Sequence, residues 1–294
     1  MELLIYLILF LLVLIVSSTT NKLLPFLPLP LVQILLGIVI GLFLPNTDFH
    51  LNTELFLALV IGPLLFRESE EADITAILKH WRIIVYLIFP VIFISTLSLG
   101  GLAHLLWLSL PLAACLAVGA ALGPTDLVAF ASLSERFSFP KRVSNILKGE
   151  GLLNDASGLV AFQVALTAWT TGAFSLGQAS SSLIFSILGG FLIGFLTAMT
   201  NRFLHSFLLS VRATDIASEL LLELSLPLVT FFLAEEVHVS GIIAVVVAGI
   251  LKASRFKKIT LLEAQVDTVT ETVWHTVNFM LNGSVFVILG MELE

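Results

Sequence analysis

The sequence predicts an all-α, polytopic membrane protein, and three observations carry that prediction. Charged residues make up 12% of the 294 residues, hydrophobic ones 58%, and the mean hydropathy is +1.06. Soluble domains carry about 25% charged side chains, so a water-facing surface could not be dressed from this composition. The apolar residues gather in blocks long enough to cross a hydrocarbon core about 30 Å thick, which takes about 20 helical residues. Lysine and arginine, finally, fall on alternate connections between the blocks.

Hydrophobic runs and their breakers predict spans at 2–18, 28–44, 53–78, 82–107, 111–134, 143–170, 181–206, 215–236, 238–252 and 268–291. The first block begins at Met-Glu without a basic stretch, and Ser17, Ser18, Thr19 and Thr20 loosely resemble a signal-peptide cleavage site. Because the same pattern continues at once, we expect a retained helix. The short ninth span fits a tilted or partly re-entrant element. Cys115 is the one cysteine, which excludes an internal disulfide and a thiolate metal site.

The basic residues test this reading independently. Lys22 follows the first span, while Arg67, Lys79 and Arg82 surround the end of the third. Arg136, Lys141, Arg142 and Lys148 lie between the fifth and sixth, and Arg202 and Arg212 follow the seventh. Lys252, Arg255, Lys257 and Lys258 follow the ninth. The intervening connections are neutral or acidic, with Asp48 and Glu54 in one and Glu235, Glu236 and His238 in another. By the positive-inside rule the basic side is cytoplasmic, so both termini are expected outside a multi-pass protein of the cell membrane. The last residues, Gly290-Met291-Glu292-Leu293-Glu294, stop just after a span without a basic anchor, which reads as a truncated end.

Two segments carry chemistry. In the fifth span, Gly123-Pro124-Thr125-Asp126 interrupts the apolar run, and Gly-Pro leaves backbone groups that a helix cannot satisfy. A broken helix there would put Thr125 or Asp126 at the N-terminus of a second half-helix, as in transporter ion sites. The plainer reading is a proline kink with a capping Asp126. In the sixth span, Glu150, Asn154 and Asp155 stand in an apolar setting. Asp155 leads, since an ionised carboxylate in hydrocarbon costs several kcal/mol and defaults to a function. Burial favours the neutral acid and a bound cation the carboxylate, so proton and cation would compete for one group. Asn154 adds a neutral carbonyl oxygen or an orienting amide. Glu150 reads equally well as an interfacial acid beside Lys148.

On these residues the chain resembles a known family. Gly149-Glu150-Gly151-Leu152-Leu153-Asn154-Asp155-Ala156 is similar to the Gly-Glu-Ser-Leu-Leu-Asn-Asp-Ala signature of the cation:proton antiporter 1 family, the NhaP-type sodium/proton exchangers. Pro124-Thr125-Asp126-Leu127-Val128-Ala129 resembles its Thr-Asp-Pro-Val-Ala segment, with weaker echoes at residues 62–66, 239–242 and 282–286. The resemblance implies a 13-helix inverted-repeat antiporter fold with a broken fifth helix, of which this chain holds about ten helices. Helices at roughly 1–80 and 208–294 would be of the dimerisation type, roughly 82–170 a partial moving core, and roughly 181–206 a linking helix. It further implies a homodimer in the lipid bilayer that exchanges sodium (or lithium or potassium) for protons by alternating access, with no cofactor.

Carried over by position, Asp155 would bind the cation or proton, with Asn154 its neighbour and Thr125 a ligand of the transported ion. Asp126 would compensate dipoles where broken helices cross, and Glu150 would pair with an arginine on a later helix. Ser157 and Gly151 support the site, though Gly151 stands where the family has serine, so one hydroxyl ligand is missing. Arg67 follows residues 64–66 where relatives place glutamate. The Asn-Asp pair resembles electroneutral exchangers. Three further helices are expected beyond residue 294, and residues 1–294 alone are expected not to transport.

The remaining polar residues point elsewhere. Glu219 and Glu223 share one helix face, as a cation funnel or a solvated face. Glu271 and His275, and Asn278 and Asn282, form stripes expected to pack on neighbouring helices. His104 and His205 are expected at the interface. No spacing suits a metal enzyme, a phosphate loop or nucleic-acid binding. The rival from another class is an intramembrane aspartyl protease using Asp126 and Asp155, but the Tyr-Asp and Gly-x-Gly-Asp contexts are absent. A cation channel or sensor on the same scaffold is the third reading.

Overall fold

The computed structural model describes residues 2–24, 26–43, 52–72, 74–125, 139–171, 176–211, 215–253 and 261–293, and among them the chain is almost entirely helical. Helix α1 is Glu2–Leu23 and α2 is Leu29–Phe43. Helix α3 runs through Thr53–Phe56, the π-helical Leu57–Ile61 and Gly62–Glu71. Asn52 caps its start by accepting from the Glu54 and Leu55 amides at 3.0 and 3.2 Å. The π turn closes just before Pro63, whose missing N–H would have broken an ordinary ladder nearby. Then follow α4 (Ile74–Leu106), α5 (Leu112–Ala121), α6 (Lys141–Thr171) and α7 (Leu176–Ser210). Helices α8 (Ile216–Glu236), α9 (Gly241–Ala253) and α10 (Leu261–Glu292) complete the series.

The third expected span, 53–78, is corrected: α3 ends at Glu71, and residues 74–78 open α4. The run Arg67-Glu68-Ser69-Glu70-Glu71 is too polar for a hydrocarbon interior, so the chain turns there. Within the fifth expected span, 111–134, the helix ends at Ala121, and residues 126–134 lie outside the described residues. Among the described residues, Arg82–Leu106, Phe185–Ser210, Ile216–Glu236 and Thr268–Glu292 are long and apolar enough to cross a membrane. Ile8–Leu23, Leu29–Leu42, Leu112–Ala121 and Gly241–Ala253 are shorter apolar helices. Phe93, Leu188, Phe203 and Phe232 are exposed on these helices, the inverse of a soluble surface and the expected face toward lipid.

The chain forms two compact units, one of Met1–Leu64, Leu208–Leu228 and Lys257–Glu294, the other of Leu65–Phe207 and Val229–Phe256. In lipid there is little hydrophobic drive between helices, so association depends on close backbone approach at small residues. The first unit shows this between α2 and α10. A Cβ added to Gly37 would lie 2.3 Å from the Val287 carbonyl oxygen, and one on Gly290 2.2 Å from that of Ile34. Gly283 admits the Leu14 side chain of α1 in the same way. Glu223 accepts from the indole Nε1 of the buried Trp274 at 3.2 Å, and Glu219 is buried too. That overturns the solvated-face reading of Glu219 and Glu223. The buried side of α10 runs through Thr270 and Trp274, which leaves Glu271 and His275 exposed instead of packed on a helix.

In the second unit Gly100 of α4 meets Gly119 of α5, where an added Cβ would sit 2.6 Å from the Gly100 amide nitrogen. Gly189, Gly190 and Gly194 of α7 admit Val239, Ser240 and Ala244 at equally short range. Thr230 donates to the Thr197 hydroxyl at 3.0 Å, and Thr197 donates back to its own helix at the Ile193 carbonyl. Arg67 and Lys252, expected on connections, lie on α3 and α9 and are mostly buried. Arg67 pairs with Glu70 at 2.9 Å and Glu71 at 2.7 Å, and Lys252 reaches Glu70 at 3.1 Å. The Lys252 ammonium also stands 5.4 Å from the centroid of the Phe66 ring. Burial is tolerable because each cation meets a carboxylate, one of them shared.

The α2–α10 contact gives a direct test. Gly37→Ala forces backbone apart and should lower stability by about 1–3 kcal/mol. At Gly101 an added Cβ meets nothing within 4 Å. Gly101→Ala should therefore be neutral or stabilising by up to about 1 kcal/mol. Thermal unfolding of the detergent-solubilised variants measures both, and equal melting temperatures would refute the close approach.

Candidate functional site

Helix α5 ends where its sequence requires it. The Leu122 amide still reaches the Val118 carbonyl at 3.1 Å, but Pro124 has no N–H to offer and disfavours helical backbone at Gly123. Freed from the helix, Thr125 is exposed on its own account, yet its hydroxyl reaches across to α6. It donates to Glu150 Oε2 at 3.0 Å and lies 3.3 Å from Oε1.

Glu150, Asn154 and Gly158 lie four residues apart on α6 and so form one slanting stripe. This stripe faces the 124–125 segment. The Asn154 amide nitrogen donates to Glu150 Oε1 at 2.9 Å and to the Thr125 hydroxyl oxygen at 3.2 Å. The three side chains therefore close a ring of hydrogen bonds. With both of the Asn154 bonds made by its nitrogen, the amide turns its oxygen away from Glu150. Asn154 is 1% exposed, and its Oδ1 is buried with no hydrogen-bond partner among the described residues. A buried acceptor without a donor is costly. Such an oxygen, neutral and hard, suits a cation from the oxygen-binding class.

Glu150 is 6% exposed, which removes its reading as an interfacial acid. The arginine expected to pair with Glu150 would lie beyond residue 294; among the described residues the hydrogen-bond donors to Glu150 are Thr125 and Asn154. Gly151 is buried on α6 and Ser157 half-buried. Asp155 belongs to α6, one residue past Asn154, but its side chain lies outside the described residues, and so does the whole of Asp126. Among the described residues no group of three or more His, Cys, Asp or Glu side chains could hold a resident metal ion.

Gly158, which meets Pro124, is the residue that reading by motif passes over. A Cβ on Gly158 would stand 2.2 Å from Cγ of the Pro124 ring, so only glycine lets the two elements meet as they do. The signal was there: a glycine one turn beyond Asn154, on the face that carries both polar groups.

Comparison with known proteins places this geometry in context. The family described as sodium/hydrogen exchanger, transmembrane, matches residues 7–294. The chain is 38% identical over 278 residues to a sodium, potassium, lithium and rubidium/H(+) antiporter of Bacillus subtilis, covering 95% of this chain and 42% of that protein. It is 32% identical over 301 residues to the uncharacterized Na(+)/H(+) exchanger YjcE of Escherichia coli, covering 100% of this chain and 54% of the relative. The chain thus spans about half the length of the curated relatives it matches. In three dimensions it superposes on the sodium proton antiporter MjNhaP1 of Methanocaldococcus jannaschii with a TM-score of 0.74 at 22% identity, covering 99% of this chain and 71% of that structure. The likeness extends to the fold.

The ring predicts its own sensitivity. Thr125→Val removes a donor to a buried carboxylate and should lower stability by about 1–3 kcal/mol, whereas Thr125→Ser keeps the hydroxyl and should stay within about 1 kcal/mol. Thermal unfolding in detergent distinguishes them, and a loss in Thr125→Ser with none in Thr125→Val would mean that the methyl group matters instead of the hydrogen bond.

Proposed function

Because this chain belongs to the sodium/hydrogen exchanger family, we propose that the protein exchanges a monovalent cation, sodium foremost, for protons across the cell membrane. The observation that carries the reading is the buried Asn154 Oδ1, which has no hydrogen-bond donor among the described residues while its amide nitrogen is committed to Glu150 and Thr125. Beside it in sequence stands Asp155, the group proposed to hold either the cation or the proton. Asn154 and Thr125 would supply neutral oxygens, and Asp126 would offset the dipoles of the interrupted helix.

One carboxylate that alternates between two occupants couples their movements. When the cation is bound, the charged form of Asp155 is favoured; when it leaves, low dielectric favours uptake of a proton. A single exchangeable site of this kind moves one positive charge each way, so the cycle is proposed to be electroneutral. Access would alternate between the two sides of the membrane by movement of helices around the site. The positive-inside pattern supports an N-terminus outside the cell. We further propose that the protein works as a homodimer, with helices of the first and last thirds of the chain at the interface.

The test is cation-dependent proton movement in everted membrane vesicles containing the full-length protein, with sodium, lithium and potassium compared. Asp155→Asn keeps the shape of the side chain and cannot exchange a proton, so dequenching of a pH-sensitive dye on cation addition should disappear. Activity that persists in this variant would take Asp155 out of the mechanism.

A further inference from the structure

The contact between Gly158 and Pro124 lies one helical turn beyond Asn154 and one residue before Thr125, so it abuts both halves of the hydrogen-bonded ring. The fit is close on one side only. An added Cβ at Gly158 would come within 2.2 Å of Pro124 Cγ and 3.2 Å of Cδ, but 3.5 Å from Pro124 Cβ, which is ordinary van der Waals contact. The pyrrolidine ring alone, then, requires a glycine. Pro124 has no N–H with which to hold the segment at this point.

We infer that Gly158 is a positioning residue for the cation site: the ring of Pro124 seats against its bare backbone, and that seat sets where the Thr125 hydroxyl meets Glu150 and Asn154. The distances involved leave little slack. Thr125 is 3.0 Å from Glu150 and 3.2 Å from Asn154, and a hydrogen bond weakens steeply beyond that range. A side chain at Gly158 pushes the Pro124–Thr125 segment off α6. The Asn154 amide then loses one of its two acceptors and keeps only the bond to Glu150, so its orientation, and with it the place of Oδ1, is held less firmly. This inference rests on the exchange reading above and adds to it a residue that never touches the ion.

The test is a compensation experiment in everted vesicles with the full-length protein, using sodium as the probe. Membrane abundance, maximal rate and apparent sodium affinity are measured for wild type, Gly158→Ala, Pro124→Ala and the double variant. Gly158→Ala should raise the apparent KM for sodium about tenfold, a modest share of the ~100-fold that a misplacement of about 1 Å can cost. Pro124→Ala opens a gap and also restores an N–H that can lengthen α5, so it has an effect of its own and serves as the reference for the double variant. In the double variant the new methyl faces only a Cβ, so its affinity should match that of Pro124→Ala.

Wild-type affinity in Gly158→Ala, or a double variant about tenfold weaker than Pro124→Ala, overturns the inference. If Gly158→Ala does not reach the membrane, the double variant decides: its recovery supports the contact, and its equal absence overturns it. Wild-type vesicles that move no protons with sodium, lithium or potassium would instead remove the exchange reading itself.

Discussion

A carboxylate taken out of water must find donors, and the arrangement around Glu150 follows from that demand. Its two donors come from different elements, the Thr125 hydroxyl beyond the end of α5 and the Asn154 amide on α6. Satisfying Glu150 therefore docks the interrupted segment onto α6 and fixes the amide of Asn154 in one orientation. Since the amide nitrogen serves both partners, the oxygen is left without a donor among the described residues. That oxygen is thus a by-product of how a neighbouring acid is satisfied inside the protein.

Docking at this range also requires backbone to approach backbone, which is why glycines recur at the contacts. Gly158 against Pro124, Gly119 against Gly100 and Gly194 against Ala244 are the same solution at different heights of the second unit. Gly37 against Val287 repeats it in the first. In a hydrocarbon setting packing and hydrogen bonding replace the hydrophobic effect as the source of helix adhesion, and both reward proximity. The polar residues obey a parallel economy. Arg67, Glu70 and Lys252 are buried together, Glu223 takes the indole of Trp274, and Thr197 shares its hydroxyl with Thr230.

How much of this could be read from the chain alone depends on whether the signal is local. Helices announce themselves by apolar length, and the expected spans at 143–170 and 215–236 became Lys141–Thr171 and Ile216–Glu236. The interruption after the fifth span was legible because Gly123-Pro124 is a property of two adjacent residues. The third span was drawn too long because apolar residues resume at Ile74 after a short charged run, and a window of hydropathy averages across such a run. The burial of Lys252 is not legible in this way, because charge alone cannot reveal a partner as distant in sequence as Glu70.

The site divides along the same line. Residue types and spacing were enough to select Glu150, Asn154, Asp155 and Thr125 and to attach them to one family's signature. Both Glu150 and Asn154 had two readings apiece at that stage, an interfacial or buried acid and a ligating or orienting amide. Choosing between them required the hydroxyl of Thr125, 25 residues before Glu150, to arrive within 3.0 Å. Composition and periodicity determine where a chain enters the membrane, because that depends on each segment's own transfer free energy. Which oxygen remains unpaired depends on contacts between segments, and only the folded chain decides those.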